Sequence, residues 1–172
     1  MIDLETERLR LYPARLSDLD ARLAMDRDPE VMRYIRPIPT DAAAHREQIR
    51  GRILEDAGPE DRFWHVERLA APGFIGWCAL FPLEESGHIE IGYRFVRDAW
   101  GQGIATEAAR AVLDLGFRVL GIDPIVAVTD PDNTASQAVL RKIGLKPAGR
   151  AHHYGREVSF FRLARGEYLN TT

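Results

Sequence analysis

Trp100-Gly101-Gln102-Gly103-Ile104-Ala105-Thr106 is the stretch on which the fold and the chemistry turn. It stands between a strand-like run, His88-Ile89-Glu90-Ile91-Gly92-Tyr93-Arg94-Phe95-Val96, and a helix-like one. In the first run Ile89, Ile91, Tyr93 and Phe95 alternate onto one face, with Glu90 on the other. In the second, Ile104, Ala108, Val112, Leu115 and Val119 recur at helical spacing until Gly121. Glycines at a strand-to-helix junction let the backbone approach a ligand closely, because no Cβ intervenes. The free N–H groups of the helix start and the positive end of its dipole make an anion site there. From these residues alone, a glycine-rich turn without a ligand stays equally open.

Downstream, Ile125-Val126-Ala127-Val128 is a short apolar run of the kind that forms a buried strand. A helix is expected from Thr134 to Ile143, ended by Gly144, and then two strands, Lys146–Ala151 and Val158–Ala164, joined through His152-His153-Tyr154-Gly155. Upstream, Phe63–Val66 and Phe74–Phe81 read as a hairpin across Ala71-Pro72-Gly73, closed by Pro82. Arg8–Tyr12 is a further strand, stopped by Pro13. Ser17 fits an N-cap for a helix bearing Leu16, Leu19 and Leu23, ended by Asp28-Pro29. Thr40-Asp41 caps a second helix through Ala42, Ile49 and Ile53, with Gly58-Pro59 beyond its end. The stretch from Arg27 to Pro39 is the least informative.

Helices separated by runs of adjacent strands imply an α/β (α+β) sandwich, with a mixed, mostly antiparallel sheet of about seven strands flanked by about four helices. A chain of 172 residues suits one domain spanning 1–172. The net charge of -3 argues against a generic nucleic-acid binder. Cys78 is the only cysteine, so neither an intrachain disulfide nor a cysteine metal cluster can form. Met1–Glu5 has no basic or apolar leader, and no apolar run approaches the ~20 residues that span a bilayer. A cytoplasmic protein with no membrane partner is expected, and a homodimer stays open.

The phosphate chemistry can be narrowed. A kinase-type P-loop ends in Gly-Lys-Ser/Thr, whereas Gly103 is followed by Ile104 and Ala105. A dinucleotide fingerprint would draw on Asp123, but Thr106 stands in place of its third glycine, and Asp123 precedes its strand instead of ending one. His152 and His153 are adjacent and would point to opposite faces of a strand, so no metal site is expected there. Asp130-Pro131-Asp132-Asn133 lacks the glycine and the terminal glutamate of a calcium loop. Trp64, Trp77 and Cys78 read as core or sheet-face residues.

The sequence resembles the GCN5-related N-acetyltransferases, and within them the RimJ/RimL-like branch. Thr6-Glu7-Arg8-Leu9-Arg10-Leu11 and Glu90-Ile91-Gly92-Tyr93 carry part of the resemblance. The most specific blocks are Trp100–Ala108, Asn133-Thr134-Ala135-Ser136 and Lys142-Ile143-Gly144-Leu145, in family order and spacing. The general pattern has Gln or Arg before the first loop glycine, where this chain has Trp100, a departure read as a mark of the branch.

The resemblance implies an acetyl-CoA-dependent N-acetyltransferase. Gly101, Gln102, Gly103, Ile104, Ala105 and Thr106 would bind the cofactor's pyrophosphate, and the peptide groups of Phe95 and Val96 would pair with its pantetheine arm. Asn133 would bond the cofactor or a water besides serving as an N-cap, and Lys142 would reach the 3′-phosphate. Amine acetylation needs a base for the ammonium and benefits from an acid for the departing thiolate. Glu90 is the candidate base, provided burial raises its pKa; Ser136 is the candidate acid, with Tyr154 as the alternative. No cysteine nucleophile is indicated, so direct attack on the thioester is favoured.

The acceptor is expected between the segment Ser17–Leu54 and the strands near Glu90 and Tyr154. Asp26, Asp28, Glu30, Arg33 and Arg36 form a mixed set there that selects neither a protein N-terminal amine nor a small amine. The rival functions are a non-catalytic acyl-CoA sensor and, more remotely, a dinucleotide oxidoreductase.

Overall fold

The computed structural model describes residues 2–35, 37–54 and 62–170. One eight-stranded sheet organises them, in the order β1-β2-β3-β4-β5-β6-β8-β7. The strands are β1 (Leu4–Glu5), β2 (Leu9–Pro13), β3 (Arg62–Arg68), β4 (Ala71–Pro82), β5 (Ile89–Phe95), β6 (Ile125–Thr129), β7 (Lys146–His153) and β8 (Arg156–Leu163). All neighbours are antiparallel except β5 and β6. The helices are α1 (Leu19–Met25), α2 (Pro29–Met32), α3 (Ala42–Leu54), α4 (Ile104–Asp114), α5 (Thr134–Lys142) and α6 (Arg165–Leu169). The mixed α/β class is therefore as expected, with one further strand, β1, and two further short helices, α2 and α6. Among the described residues no helix is long and apolar enough to cross a membrane.

The alternation read in β5 is realised. Ile91 and Phe95 are buried in the main core with Ile89 and Tyr93 against it, and this core also takes Ile104, Ala108 and Val112 of α4 and Leu140 of α5. Burying such a face is the main stabilising term, at about 1.5–3 kcal/mol per large apolar side chain. On the other side of the sheet, Trp77 and Ala79 of β4 pack with Met25 and Val31, while α1 and α3 join through Leu19, Leu23 and Ile49.

Several local expectations differ from the structure. Ser17 lies inside a tight turn, Leu16–Asp18, and caps nothing; α1 starts at Leu19, and the Asp18 carboxylate turns to His65 Nδ1 at 2.9 Å. Asp28-Pro29 does more than stop α1. Asp28 caps α2, accepting from the Glu30 N–H at 2.9 Å, and Pro29 suits the first helical position, where no N–H is needed. Asp41 does cap α3, accepting from the N–H groups of Ala43 and Ala44. Gly58 and Pro59 lie outside the described residues. The β3–β4 turn falls at Leu69-Ala70, and Ala71–Gly73 already belong to β4, which bulges opposite Glu67. After α4 the helix widens at Leu115–Val119, where the Leu120 N–H reaches back to the Leu115 carbonyl. That extra residue per turn rotates Val119 into solvent.

Candidate active site

Strands β5 and β6 pair only through Ile89↔Ile125 and Glu90↔Val126, so beyond Glu90 the two strands splay. The Val96 N–H donates to the Ile75 carbonyl at 2.9 Å, which fixes the alternation along β5. Antiparallel geometry then turns the peptide groups of Phe95 away from β4 and into the splay. The Phe95 carbonyl accepts there from the Trp100 indole N–H at 2.8 Å. Val96 differs from its neighbour: its carbonyl accepts from Ala99, so both its peptide groups are already engaged.

The glycine loop follows directly. Gly101 and Gly103 have φ of 71° and 78°, the left-handed region that glycine enters without a Cβ penalty. Gly103 is the N-cap of α4 and offers no side chain to its first N–H groups, so those of Ile104, Ala105 and Thr106 are available to an anion. A Cβ added at Gly101 would meet nothing within 4 Å, which is what a cradle open to a ligand requires. Two cations missed in the sequence come from far along the chain. Arg8 Nη1 donates to the Gln102 carbonyl at 3.0 Å, and Arg68 Nη2 donates to the Gln102 side-chain oxygen at 3.3 Å. Gln102 thus braces the loop, its amide also donating to the Asp98 carbonyl at 2.6 Å. Beside the loop lies a groove of about 740 Å³ lined by Asp28, Glu30, Val96, Arg97, Asp98 and Trp100.

Glu90 projects from the face of β5 opposite the main core and is only 5% exposed. Tyr154 Oη donates to Glu90 Oε2 at 2.6 Å. Burial pushes the Glu90 carboxyl up to about 7, against the lowering effect of the Tyr154 hydroxyl and the Val128 peptide N–H. The side chain is therefore poised to exchange a proton near neutrality.

Asn133 and Ser136 sit at the start of α5, on the core-facing side. Asn133 Oδ1 accepts from the Ser136 N–H at 3.0 Å, the N-cap role anticipated for it. Tyr93 Oη lies 3.2 Å from Ser136 Oγ and donates to the Ser136 carbonyl at 3.2 Å. Burial pushes the Tyr93 hydroxyl's pKa well above its usual range, so it stays protonated. The structure thus assembles two groups, Glu90 with Tyr154 and Ser136 with Asn133 and Tyr93. Lys142 stands exposed in the last turn of α5, its carbonyl accepting from Arg110 at 2.9 Å.

The charged set near α1 and α2 separates. Asp26 is buried between Arg94 and His45, so its carboxylate is committed to holding structure. Arg22 is buried beside it, where desolvation lowers its pKa to about 10 despite the Asp26 charge. Asp28 and Glu30 remain at the groove, with Glu30 3.8 Å from Arg33. Arg36 lies outside the described residues.

The chain is similar to several N-acetyltransferases. The sequence is 34% identical to an uncharacterized N-acetyltransferase, p20, of Bacillus licheniformis, covering 98% of this chain and 99% of that one. It is 31% identical to the FsC-acetyl coenzyme A-N(2)-transacetylase of Aspergillus fumigatus, covering 83% of this chain and 64% of that one. The fold matches the spermidine N-acetyltransferase of Vibrio cholerae, solved with CoA and spermine, at a TM-score of 0.79 and 19% identity, over 96% of this chain and 100% of that one. The profile of the acetyltransferase (GNAT) domain matches residues 8–146, and the chain belongs to that family.

Proposed function

We propose that the chain acts as one domain that moves the acetyl group of acetyl-CoA directly onto a primary amine. The observation that carries this reading is Glu90, a buried carboxyl poised near pH 7 where β5 and β6 part. A base tuned to that range takes a proton from an ammonium far better than an ordinary glutamate does. Acetyl-CoA supplies the acyl carbon and the thiolate leaving group. The residues present fit it: two left-handed glycines and three uncapped helical N–H groups suit a pyrophosphate, with Arg8 and Arg68 beside them. The Phe95 peptide faces the splay, where an amide-bearing arm can pair once Trp100 yields the carbonyl. That relatives of the same fold have been solved with CoA supports CoA as the ligand.

Glu90, directly or through a water, takes the proton from the ammonium; the nitrogen then forms its bond to the acyl carbon as the C–S bond breaks. Ser136 gives its hydroxyl proton to the departing sulfur and regains one from the second proton that the new amide nitrogen sheds, and Tyr93 orients that hydroxyl. Tyr154 is already bound to Glu90, which favours Ser136 as the acid. Asp28, Glu30 and Asp98 at the groove give a cationic acceptor a favourable approach, in keeping with the spermine bound by the Vibrio cholerae relative. A RimJ/RimL-like use, on a protein N-terminal amine, draws on the same chemistry.

Thiol release from acetyl-CoA tests the reading with spermidine, an aminoglycoside and a short peptide bearing a free N-terminus. Release should depend on the amine, and Ser136→Ala should lower kcat by about 10²-fold with little change in KM. An Ser136→Ala enzyme at full rate, with Tyr154→Phe crippled, would move the acid role to Tyr154.

A further inference from the structure

Among the described residues, only Glu84 and Tyr154 are non-glycine residues with left-handed backbone, at φ of 46° and 53°. Bulky side chains rarely adopt it, and such strain persists only where surrounding contacts enforce it. Here the two strained residues hold each other. Glu84, in the turn between β4 and β5, accepts from the Tyr154 peptide N–H at 3.0 Å, and its other oxygen lies 2.7 Å from His153 Nδ1. Tyr154 and Gly155 form the two-residue turn between β7 and β8, both with positive φ, a geometry that usually takes Asn-Gly or Gly-Gly. The exception places the Tyr154 ring where its hydroxyl meets Glu90 Oε2 at 2.6 Å.

We propose that Glu84 is a positioning residue: by anchoring the His153-Tyr154 turn it keeps the tyrosine hydroxyl on the Glu90 carboxylate. This rests on the reading of Glu90 as the base. The groups that act on Glu90 are Tyr154 and His153 from the β7–β8 turn, Glu84 itself, and the Val128 N–H of β6. Arg94, four residues on along the same face, is engaged by Asp26. The His153 ring and the Tyr154 N–H hold the Glu84 carboxyl below the usual carboxylate range, so it is an anion wherever the enzyme works.

Two roles for Glu84 predict opposite signs. As a bare neighbouring charge it disfavours the ionised Glu90, and removing it makes Glu90 a stronger acid. As an anchor it secures a hydrogen bond that favours ionised Glu90, and removing it makes Glu90 a weaker acid. The test is a pH titration of the Glu90 carboxyl by ¹³C NMR in the protein alone, followed by the pH–rate profile with acetyl-CoA and a turned-over amine. Glu84→Ala should raise the proton affinity of Glu90 about tenfold, and Tyr154→Phe should do the same, because each loses one hydrogen bond to a charged group. Glu84→Gly, which also relieves the left-handed backbone, should do the same if Glu84→Ala folds poorly. Glu84→Gln keeps an oxygen for the Tyr154 N–H and should not raise it. In a Tyr154→Phe background, Glu84→Ala should add no further rise. A fall or no movement in Glu84→Ala alone, or an undiminished rise in the Tyr154→Phe background, would overturn the proposal. The base reading fails separately, if Glu90→Gln keeps the acid limb of the rate profile.

Discussion

Glu90→Gln should abolish most of the activity while making the folded protein more stable above neutrality. The loss is expected at 10²- to 10³-fold in kcat/KM, the usual contribution of a positioned base. The wild-type profile should rise through about pH 7 as Glu90 loses its proton, and this limb should vanish in the variant. The stability change follows from the same group. Glu90 titrates near 7 when folded against 4.5 ordinarily, so between these values the folded chain holds a proton that the unfolded chain has released. Stability therefore falls as pH rises through that window, and above it the buried charge costs about 3 kcal/mol. Glutamine carries no charge and can still accept from Tyr154 and Val128. Calorimetry at pH 8 should place the variant about 6–12 °C above wild type, with the two converging near pH 5. Equal melting temperatures at pH 8 would mean that Glu90 carries no such cost.

Gly101→Val should leave the fold standing and cut CoA affinity about a hundredfold, or about 2.8 kcal/mol. A β-branched residue at φ 71° costs about 1–2 kcal/mol of stability, which a domain of this size can bear. Its side chain would project into the open space above Gly101, where the cradle accepts its ligand. Isothermal titration with CoA, beside urea melts of both proteins, separates the two effects. Affinity lost in step with unfolding would point to a structural glycine; affinity unchanged would place the phosphates elsewhere.

Short-range patterns were the legible part of this chain. The face alternation of β5, the glycine loop and the Asn133 cap are decided within a few residues, and each stands where its spacing placed it. Misread positions were those where a distant partner competes for a local signal. Ser17 and Asp18 have cap-like chemistry, but His65, 47 residues on, claims the Asp18 carboxylate. Asp28-Pro29 stops one helix and starts the next, and the dipeptide alone does not distinguish the two. Asp26 looked available to a substrate until Arg94 and His45 closed on it. Arg8 and Arg68 reach the glycine loop only because β2 and β3 lie beside each other in the sheet. The Glu84–Tyr154 pairing joins two turns 70 residues apart, and neither turn has a sequence signature for it.

Direct transfer to an amine is the core of this account, and a quenched turnover with acetyl-labelled acetyl-CoA tests it most directly. The protein is mixed with the labelled thioester, first alone and then with the amine panel, and the protein and small molecules are weighed by mass spectrometry. The account predicts an unlabelled protein in both cases, and one labelled N-acetyl product for every CoA thiol released once a suitable amine is present. Label appearing on the protein, or CoA held tightly while every amine stays unmodified, would contradict it.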